Sequence, residues 1–339
     1  MKTFFTNKIL QKSLLFIFSM LLLTACSTKE VYEPKKVEAD WEKYEDTKHT
    51  IIDTAQNIAL FDDGDVLVKD GVLKLNIDST KRVISSNDDW IISASMDGNL
   101  TLTSKKKALK SFNFDLKKSV ASASVENDFL AVVFSNNEIA LYDINSKELL
   151  FKEQEGKSIA LDSRIVNPYF MRGLVLYPTL DGKIIFVNTQ LRKRLRTVIV
   201  SSEENFNNII SLHVIENKII AATSYKILSM AKKEVRVKYE LRNIIYDDKD
   251  IYIATKQGEI LSLTSSLEIN SKIKLPFAHF YAMTMVDDKL YILEKEGYMI
   301  VVDKNSFEYR VHEVDFNDEG YIFVAGKEFY IDDKKILTR

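Results

Sequence analysis

The sequence predicts an all-β fold: an eight-bladed β-propeller of four-stranded antiparallel blades. Two observations predict it. Apolar and polar residues alternate over short runs, and pairs of such runs joined by a Gly or Asn turn recur about eight times. Alternation with a period of two is typical of strands that bury one face. Repeats of about 40 residues built from strands alone are typical of propeller blades, whereas helical repeats of that length need an apolar period of about 3.6.

The hairpin pattern is clearest at residues 287–303, DDKLYILEKEGYMIVVD. Leu290 begins an alternating apolar run, which suits a strand whose side chains point to opposite faces in turn. Gly297 can adopt the positive φ of a tight hairpin turn. Further apolar runs at 282–286 and 309–314 supply a strand on each side, so the repeat has the four strands of a propeller blade.

The same order of acidic turn, apolar run, turn and apolar run occurs in eight copies. Their turn residues are Gly71, Gly98, Asn137, Gly182, Lys226, Gly258, Gly297 and Gly326. The seven steps from first to last cover 255 residues, about 36 each, so eight blades need about 290 residues, and 49–339 supplies 291. The fifth copy lacks a turn glycine and the end copies have short turns, so seven blades is the alternative count.

A propeller ring also has to join its two ends. An unpaired seam would leave sheet edges open. We expect the strand around 50–53 to join the hairpin at 318–332 and so close the ring within one blade.

The first residues read as an export signal. Lysines precede the apolar run 14–23, which is too short to span a bilayer as a permanent helix. The string LTAC that ends at Cys26 then resembles the lipobox of bacterial lipoproteins. That resemblance implies cleavage before Cys26 and a diacylglyceryl group on its thiol, and Ser27 in place of Asp implies the outer membrane. The alternative is an ordinary secretory signal with an incidental cysteine.

These features divide the chain into three parts. We predict a lipoprotein signal peptide at 1–25, a lipidated N-terminus and tether at 26–48, and a β-propeller domain at 49–339. The tether is polar and charged, as expected for a spacer. Trp41 and Tyr44 are its exceptions, and we expect them to dock on the propeller.

Composition and charge exclude some functions. The chain has 47 Lys and Arg against 49 Asp and Glu, and because general affinity for nucleic acid needs a net basic face, no nucleic acid is expected. With one cysteine, no internal disulfide can form. Two basic clusters remain, Lys105–Lys107 and Arg192–Arg196; they are either solvated turns or contacts for an acidic partner surface or anionic lipid.

No motif indicates catalysis or metal binding. The four histidines share no metal-ligand spacing, no GxSxG string occurs, and the ten glycines are spread over turns rather than clustered in a phosphate loop. Acidic pairs such as Asp62-Asp63 and Asp247-Asp248 recur at one place in the repeat, where Asp stabilises turns through its own side chain. We therefore expect no enzyme activity, no metal and no cofactor.

The turn strings FSNNEIALYDINSKELLFKEQ and PTLDGKIIFVNTQLRKRLRTV resemble the quinoprotein-type repeat. A lipobox, a short tether and eight such repeats together resemble the BamB family, lipoproteins of the outer-membrane β-barrel assembly machinery. Quinoprotein dehydrogenases share the repeat but usually carry a Trp-rich docking signature and often a vicinal cysteine pair. This chain has only Trp41 and Trp90 and no such pair, so the resemblance implies a scaffold rather than a dehydrogenase.

The same resemblance implies a partner-binding site. Leu161 and Arg164 match the Leu and Arg with which the family contacts the POTRA repeats of the barrel-inserting protein BamA. Asn205 and Asn207 stand where the family has an acidic pair, so a charge is missing here. For Arg164 the alternative is a hydrogen bond between blades to the backbone.

The sequence thus predicts a non-catalytic scaffold, monomeric outside its complex and lipid-anchored on the periplasmic face of the outer membrane. It would bind a BamA-like POTRA protein and assist barrel-protein insertion. The alternative is a propeller lipoprotein that binds a small ligand or envelope polysaccharide in its central channel.

Overall fold

The computed structural model describes residues 30–106, 110–316, 320–331 and 333–338. They form eight four-stranded antiparallel sheets arranged as a β-propeller, which confirms the predicted fold class and the count of eight blades rather than seven. In these ranges no helix is long and apolar enough to cross a membrane. Cys26 and the rest of 1–29 lie outside the described residues.

The strands follow one another around the ring, each blade being built from its innermost strand outwards. Strand β1 (Tyr44–Asp46) belongs to the last blade. Blades 1 to 4 contain β2 (Ile51–Ala55), β3 (Ile58–Phe61), β4 (Val66–Val68), β5 (Gly71–Leu73); β6 (Lys81–Ser86), β7 (Trp90–Ser95), β8 (Asn99–Ser104), β9 (Ser111–Asp115); β10 (Val120–Glu126), β11 (Phe129–Phe134), β12 (Glu138–Asp143), β13 (Leu149–Gln154); β14 (Tyr169–Met171), β15 (Leu174–Pro178), β16 (Lys183–Asn188) and β17 (Lys193–Ile199). Blades 5 to 8 contain β18 (Ser211–Ile215), β19 (Lys218–Ala222), β20 (Lys226–Met230), β21 (Glu234–Lys238); β22 (Leu241–Tyr246), β23 (Asp250–Thr255), β24 (Glu259–Thr264), β25 (Ile269–Lys274); β26 (Phe280–Val286), β27 (Lys289–Glu294), β28 (Tyr298–Asp303), β29 (Tyr309–Glu313); β30 (Ile322–Ala325), β31 (Glu328–Ile331) and β32 (Lys334–Leu337).

The core lies between the blades. In blade 7, Leu290 and Ile292 pack into an apolar cluster shared with blade 6. Tyr291 and Leu293 point to the other face, into a cluster shared with blade 8. The second strand of a blade is therefore buried on both faces, and this explains why its sequence is a nearly continuous apolar run.

The ring is closed by a different strand from the one we predicted. Strand β1 pairs with β32 as the outermost strand of blade 8, with Glu45 opposite Lys335. The stretch 50–53 falls instead at β2, the innermost strand of blade 1. The prediction was wrong because two residues after β2 the chain enters the buried strand β3, and so short a connection pairs the two as a hairpin.

The first and last repeats are also out of frame by one strand. In most copies the predicted turn joins the second and third strands of a blade, as Gly297 does with a φ of 88°. Gly71 instead joins the third and fourth strands, and Gly326 joins the first and second. In blade 1 the turn between the second and third strands is the acidic stretch 62–65, which the repeat pattern predicts to lie before the hairpin.

The stretch expected to be a tether is packed on the propeller from residue 30 onwards. We refer to 30–43 as the N-terminal strap. Tyr32 is buried in the cluster between blades 6 and 7, and the Glu38 backbone N–H donates to Val311 in blade 7 (2.8 Å). The buried Trp41 donates its indole N–H to the backbone oxygen of Leu337 (2.9 Å), so its predicted docking is confirmed. The ordered fold thus begins before the predicted boundary at residue 49.

Candidate functional site

The predicted partner-binding residues lie on two connections between blades. Leu161 and Arg164 lie between β13 and β14, and Asn205 and Asn207 lie between β17 and β18. The structure brings the two connections together, because the backbone N–H of Phe206 donates to the backbone oxygen of Ala160 (2.9 Å). Residues 46 positions apart in the sequence are therefore neighbours on one surface.

Apolar side chains are exposed where the two connections meet. Ile159 is 87 % exposed, Phe206 44 % and Leu161 36 %. We refer to these three residues as the apolar patch. Phe206 also has a positive φ of 52°, a conformation that bulky residues adopt only at an energetic cost. Clustered apolar exposure of this kind marks interaction sites on soluble proteins.

Arg164 points away from the patch and into the protein. Its guanidinium donates from Nε to Oδ1 of Asp162 (2.8 Å) and from Nη2 to Oδ2 of the same carboxylate (2.5 Å). Its Nη1 donates to the backbone oxygen of Arg242 in blade 6 (2.6 Å). Ser224 in blade 5 donates to the second carboxylate oxygen of Asp162 (2.6 Å). Arg164 thus makes the hydrogen bond between blades that was the alternative to a partner contact.

Asn208, which the sequence did not single out, holds this arrangement in place. Its side-chain amide is fully buried, donates to the backbone oxygens of Asp162 (3.1 Å) and Arg164 (3.0 Å), and accepts from the Asp162 N–H (2.7 Å). We refer to Asp162, Arg164, Asn208 and Ser224 as the polar clasp. It ties the connections before blades 4 and 5 to blades 5 and 6.

The electrostatics of the clasp follow from its burial. Desolvation alone would raise the pKa of Asp162, but the hydrogen bonds and charge of Arg164 and the hydroxyl of Ser224 outweigh it and lower the pKa to about 2. Desolvation, followed by the like charge of Arg164, lowers the pKa of Arg242. Asp162 is therefore ionised at neutral pH, and the carboxylate is committed to the clasp.

The two asparagines differ in exposure. Asn205 is exposed beside the apolar patch. Asn207 is buried, and its amide donates to the backbone oxygens of Asp181 (3.0 Å) and Ser201 (3.1 Å). A Cβ at Gly182 would lie 2.4 Å from that amide nitrogen, so the turn glycine and Asn207 fit each other. Asn207 therefore holds the hairpin turn of blade 4, and Asn205 is the residue of this pair that a partner can reach.

A cavity of about 540 Å³ opens beside the patch, between the clasp and the first residues of β22 and β26. Arg164, Arg242 and Lys256 line it, with Asp162 as the carboxylate among its lining residues. Tyr225 adds an aromatic wall, under which Lys256 sits 5.6 Å from the ring centre. The excess of cations suits an anionic group.

The basic cluster Arg192–Arg196 is neither a simple turn nor a free cationic surface. Most of it lies in β17, the outermost strand of blade 4. Arg194 pairs with Glu153 of blade 3 (3.0 Å), and Arg196 pairs with Glu234 of blade 5 (2.5 Å). In the other cluster Lys106 pairs with Asp89, and Lys107 lies outside the described residues. The Arg cluster therefore links neighbouring blades.

The acidic pairs make the predicted turn contacts. Asp247 accepts from the backbone N–H groups of Lys249 (2.9 Å) and Asp250 (2.7 Å). Asp62 and Asp63 flank the two ring nitrogens of His49 at 2.8 and 3.2 Å. These three side chains form the one group in the described ranges whose ligand atoms lie close enough together for a metal ion, and their mutual contacts link the entry of blade 1 to its hairpin turn.

Comparison with known proteins gives partial matches. No family model matches the chain. It is 38 % identical over 190 residues to the plasminogen-binding protein PgbB of Helicobacter pylori strain J99, and 37 % identical over 190 residues to PgbB of strain 26695. Each match covers 55 % of this chain and 35 % of the relative. The chain thus spans about a third of the length of the curated relatives it matches.

Among solved structures, BamB from Moraxella catarrhalis is similar with a TM-score of 0.64 and 11 % identity, covering 90 % of this chain and 96 % of that one. The C-terminal WD40 domain of Sif2 gives 0.65 and 12 %, covering 90 % and 100 %. The computationally designed Ika8 protein gives 0.61 and 12 %, covering 88 % and 99 %. These likenesses show the fold, a β-propeller like that of BamB, which other proteins use for other purposes.

Proposed function

We propose that this protein is a non-catalytic scaffold of the outer-membrane β-barrel assembly machinery. It binds the POTRA region of a BamA-like protein through the apolar patch and assists barrel-protein insertion, as a monomer outside that complex. The observation that carries the proposal is that Leu161 and Phe206, from two separate connections, are exposed side by side at the predicted docking position.

The patch has the character of a protein interface. Its centre is apolar and aromatic, and its rim, which includes Asn205, is polar. Interfaces are commonly dominated by a few such buried anchors surrounded by a polar rim. Arg164 contributes by holding the connection that carries Leu161, because its hydrogen bonds are already made within the protein.

The scaffold proposal includes the absence of catalysis. The charged groups at the cavity are three cations and one carboxylate, and the carboxylate is held in ion-paired form by Arg164. A general base needs a pKa near neutrality, whereas the clasp lowers the pKa of Asp162 to about 2. This favours binding over acid–base chemistry at the site.

Localisation belongs to the same proposal. Cys26 is acylated and anchors the propeller to the periplasmic face of the outer membrane. A Cys26→Ser variant should lose incorporation of a labelled lipid precursor and become soluble in the periplasm. An unchanged membrane fraction for this variant would contradict the anchor.

The cavity supports a second candidate function, the binding of a small ligand or envelope polysaccharide, here one with an anionic group. The curated relatives are named for binding plasminogen. Plasminogen should therefore be included among the ligands whose binding is measured. Arg242→Gln should then lower the affinity of saturable ligand binding without changing recovery of a membrane partner.

The decisive experiment is recovery of partners in native detergent. Tagged wild-type protein should co-purify with a POTRA-containing protein, identified by mass spectrometry, and Phe206→Asp should lose it. Leu191→Asp is the matched control, because Leu191 is an exposed apolar residue outside the patch. Wild-type recovery without any POTRA protein would contradict the proposal, as would equal recovery by Phe206→Asp.

A further inference from the structure

The start of the strap lies in a fixed place on the side of the ring. Residues 30–35 border a cavity of about 500 Å³ together with 274–277 and Tyr309. The Tyr32 ring is buried there and meets Tyr298 edge-on, with ring centres 5.7 Å apart. Burial of a tyrosine ring holds the backbone on either side of it, so the start of the strap is fixed to the propeller at this point.

Apolar side chains are exposed around the start of the strap. Phe277 is 56 % exposed, Tyr309 43 % and Val31 41 %. We refer to these three residues as the lateral patch. Phe277 has a positive φ of 66° in a turn in which the Ala278 N–H donates to the backbone oxygen of Leu275 (3.2 Å). A bulky residue held outward in a costly backbone conformation is often part of a functional surface.

Chain length limits how far this patch can lie from the proposed anchor. Val31 follows Cys26 by five positions, and a fully extended chain over five positions reaches at most about 18 Å. A tether free as far as residue 46 would reach about 70 Å. Because the strap is bound from Tyr32 onwards, a lipid on Cys26 keeps the lateral patch close to the bilayer surface.

We propose that the lateral patch is the membrane-contact face of the protein. Val31, Phe277 and Tyr309 enter the interface of a phospholipid surface, and the ring stands with blades 6 and 7 towards the membrane. Exposed aromatic and apolar side chains are suited to the boundary between headgroups and acyl chains. This inference rests on the anchor at Cys26, but not on any partner protein.

The charges beside the lateral patch indicate which kind of lipid it would contact. Glu30 and Glu33 balance Lys35 and Lys274 among the residues that border the cavity. Contact should therefore depend on apolar burial rather than on anionic lipid. The apolar patch belongs to the connections before blades 4 and 5, whereas Phe277 belongs to the connection before blade 7, so the two patches are formed by different connections.

Photo-cross-linking tests this orientation. The acylated protein, purified from membranes and reconstituted into phosphatidylcholine vesicles that contain a photoactivatable phosphatidylcholine, is irradiated and its labelled peptides are mapped by mass spectrometry. Peptides with Val31, Phe277 and Tyr309 should be labelled several-fold more than those with Met96 or Leu191, which are exposed on blades 2 and 4.

Variants sharpen the test. Phe277→Ser with Tyr309→Ser should reduce labelling of this side of the ring, and Met96→Ser, the matched control at an exposed site, should not. Even labelling around the ring, or labelling centred on Met96 or Leu191, would overturn the proposal, and so would failure to recover any acylated protein. Loss of the proposed scaffold function would leave the labelling pattern unchanged, because no partner is present.

Discussion

Leu161 and Arg164 are three residues apart in one connection, but their surroundings are opposite. Leu161 belongs to the apolar patch and is partly exposed to solvent, next to Phe206 of the following connection. Arg164 belongs to the polar clasp, and its guanidinium donates hydrogen bonds to Asp162 and to the backbone of blade 6. Patch and clasp are thus the outer and inner sides of the same two connections.

The two sides of these connections are suited to different roles. To contact a partner, Arg164 would have to leave a half-buried carboxylate unpaired, and breaking such a pair is costly. Leu161 and Phe206 lose nothing within the protein when they are covered, and they gain by leaving water. The patch is therefore the side that we propose for a partner surface, while the clasp holds the two connections together.

The largest effect should come from Asp162→Ala. Because it leaves Arg164 and Ser224 without their carboxylate, it should lower the free energy of unfolding by about 3 kcal/mol, measured by urea denaturation. Asp248→Ala is the control, because Asp248 is exposed. Equal unfolding of the two variants would show that the clasp contributes no stability.

Protonation of Asp162 at low pH should lower the free energy of unfolding by nearly as much as Asp162→Ala does. The clasp lowers the pKa of Asp162 from 3.8 to about 2, so its contribution of about 2 kcal/mol is fully present above pH ~4 and is lost as pH falls through about 2. The stability difference between wild type and Asp162→Asn should therefore shrink over that interval. A difference that stays constant from pH 7 to pH 2 would refute this assignment.

A smaller effect is expected of Ser224→Ala, which removes one hydrogen bond to Asp162 and leaves the Arg164 pair intact. The loss should be about 1 kcal/mol. If the loss equals that of Asp162→Ala, Ser224 rather than Arg164 is the main partner of the carboxylate.

The smallest effect on stability should come from the patch. Leu161→Ala and Phe206→Ala remove exposed side chains, and such changes usually stay within about 0.5 kcal/mol. Thermal unfolding of both should match wild type. Early melting of either would mean that the patch is packed within the protein rather than presented by it.

Local patterns in the sequence predicted most of the fold. Period-two alternation and turn residues such as Gly297 located the blades, and Trp41 stood out as a residue to be buried in a polar stretch. The frame of the first repeat was missed because the acidic turn at 62–65 is short and polar like a connection between blades. The closing strand β1 was missed because it pairs with β32 at the other end of the chain, and no local pattern indicates that pairing.

For the candidate site the sequence supplied only a predicted position, and its partner-binding role stays a prediction. Leu161 and Asn205 were placed by resemblance, and the structure brings their connections together. The clasp could not be predicted from the sequence. Asp162 and Asn208 are 46 residues apart, and Arg164 and Arg242 are 78 residues apart. Polar contacts of that range follow no period, so single polar residues such as Asn208 give no sign of them.

Partner recovery and melting should be measured side by side on two variants, because together they separate binding by the patch from support by the clasp. Leu161→Asp with Phe206→Asp should lose the POTRA-containing partner and melt like wild type. Arg164→Ala should melt earlier and still recover the partner below its melting temperature. Loss of the partner by Arg164→Ala at an unchanged melting temperature, with the patch variant still binding, would contradict this division of roles.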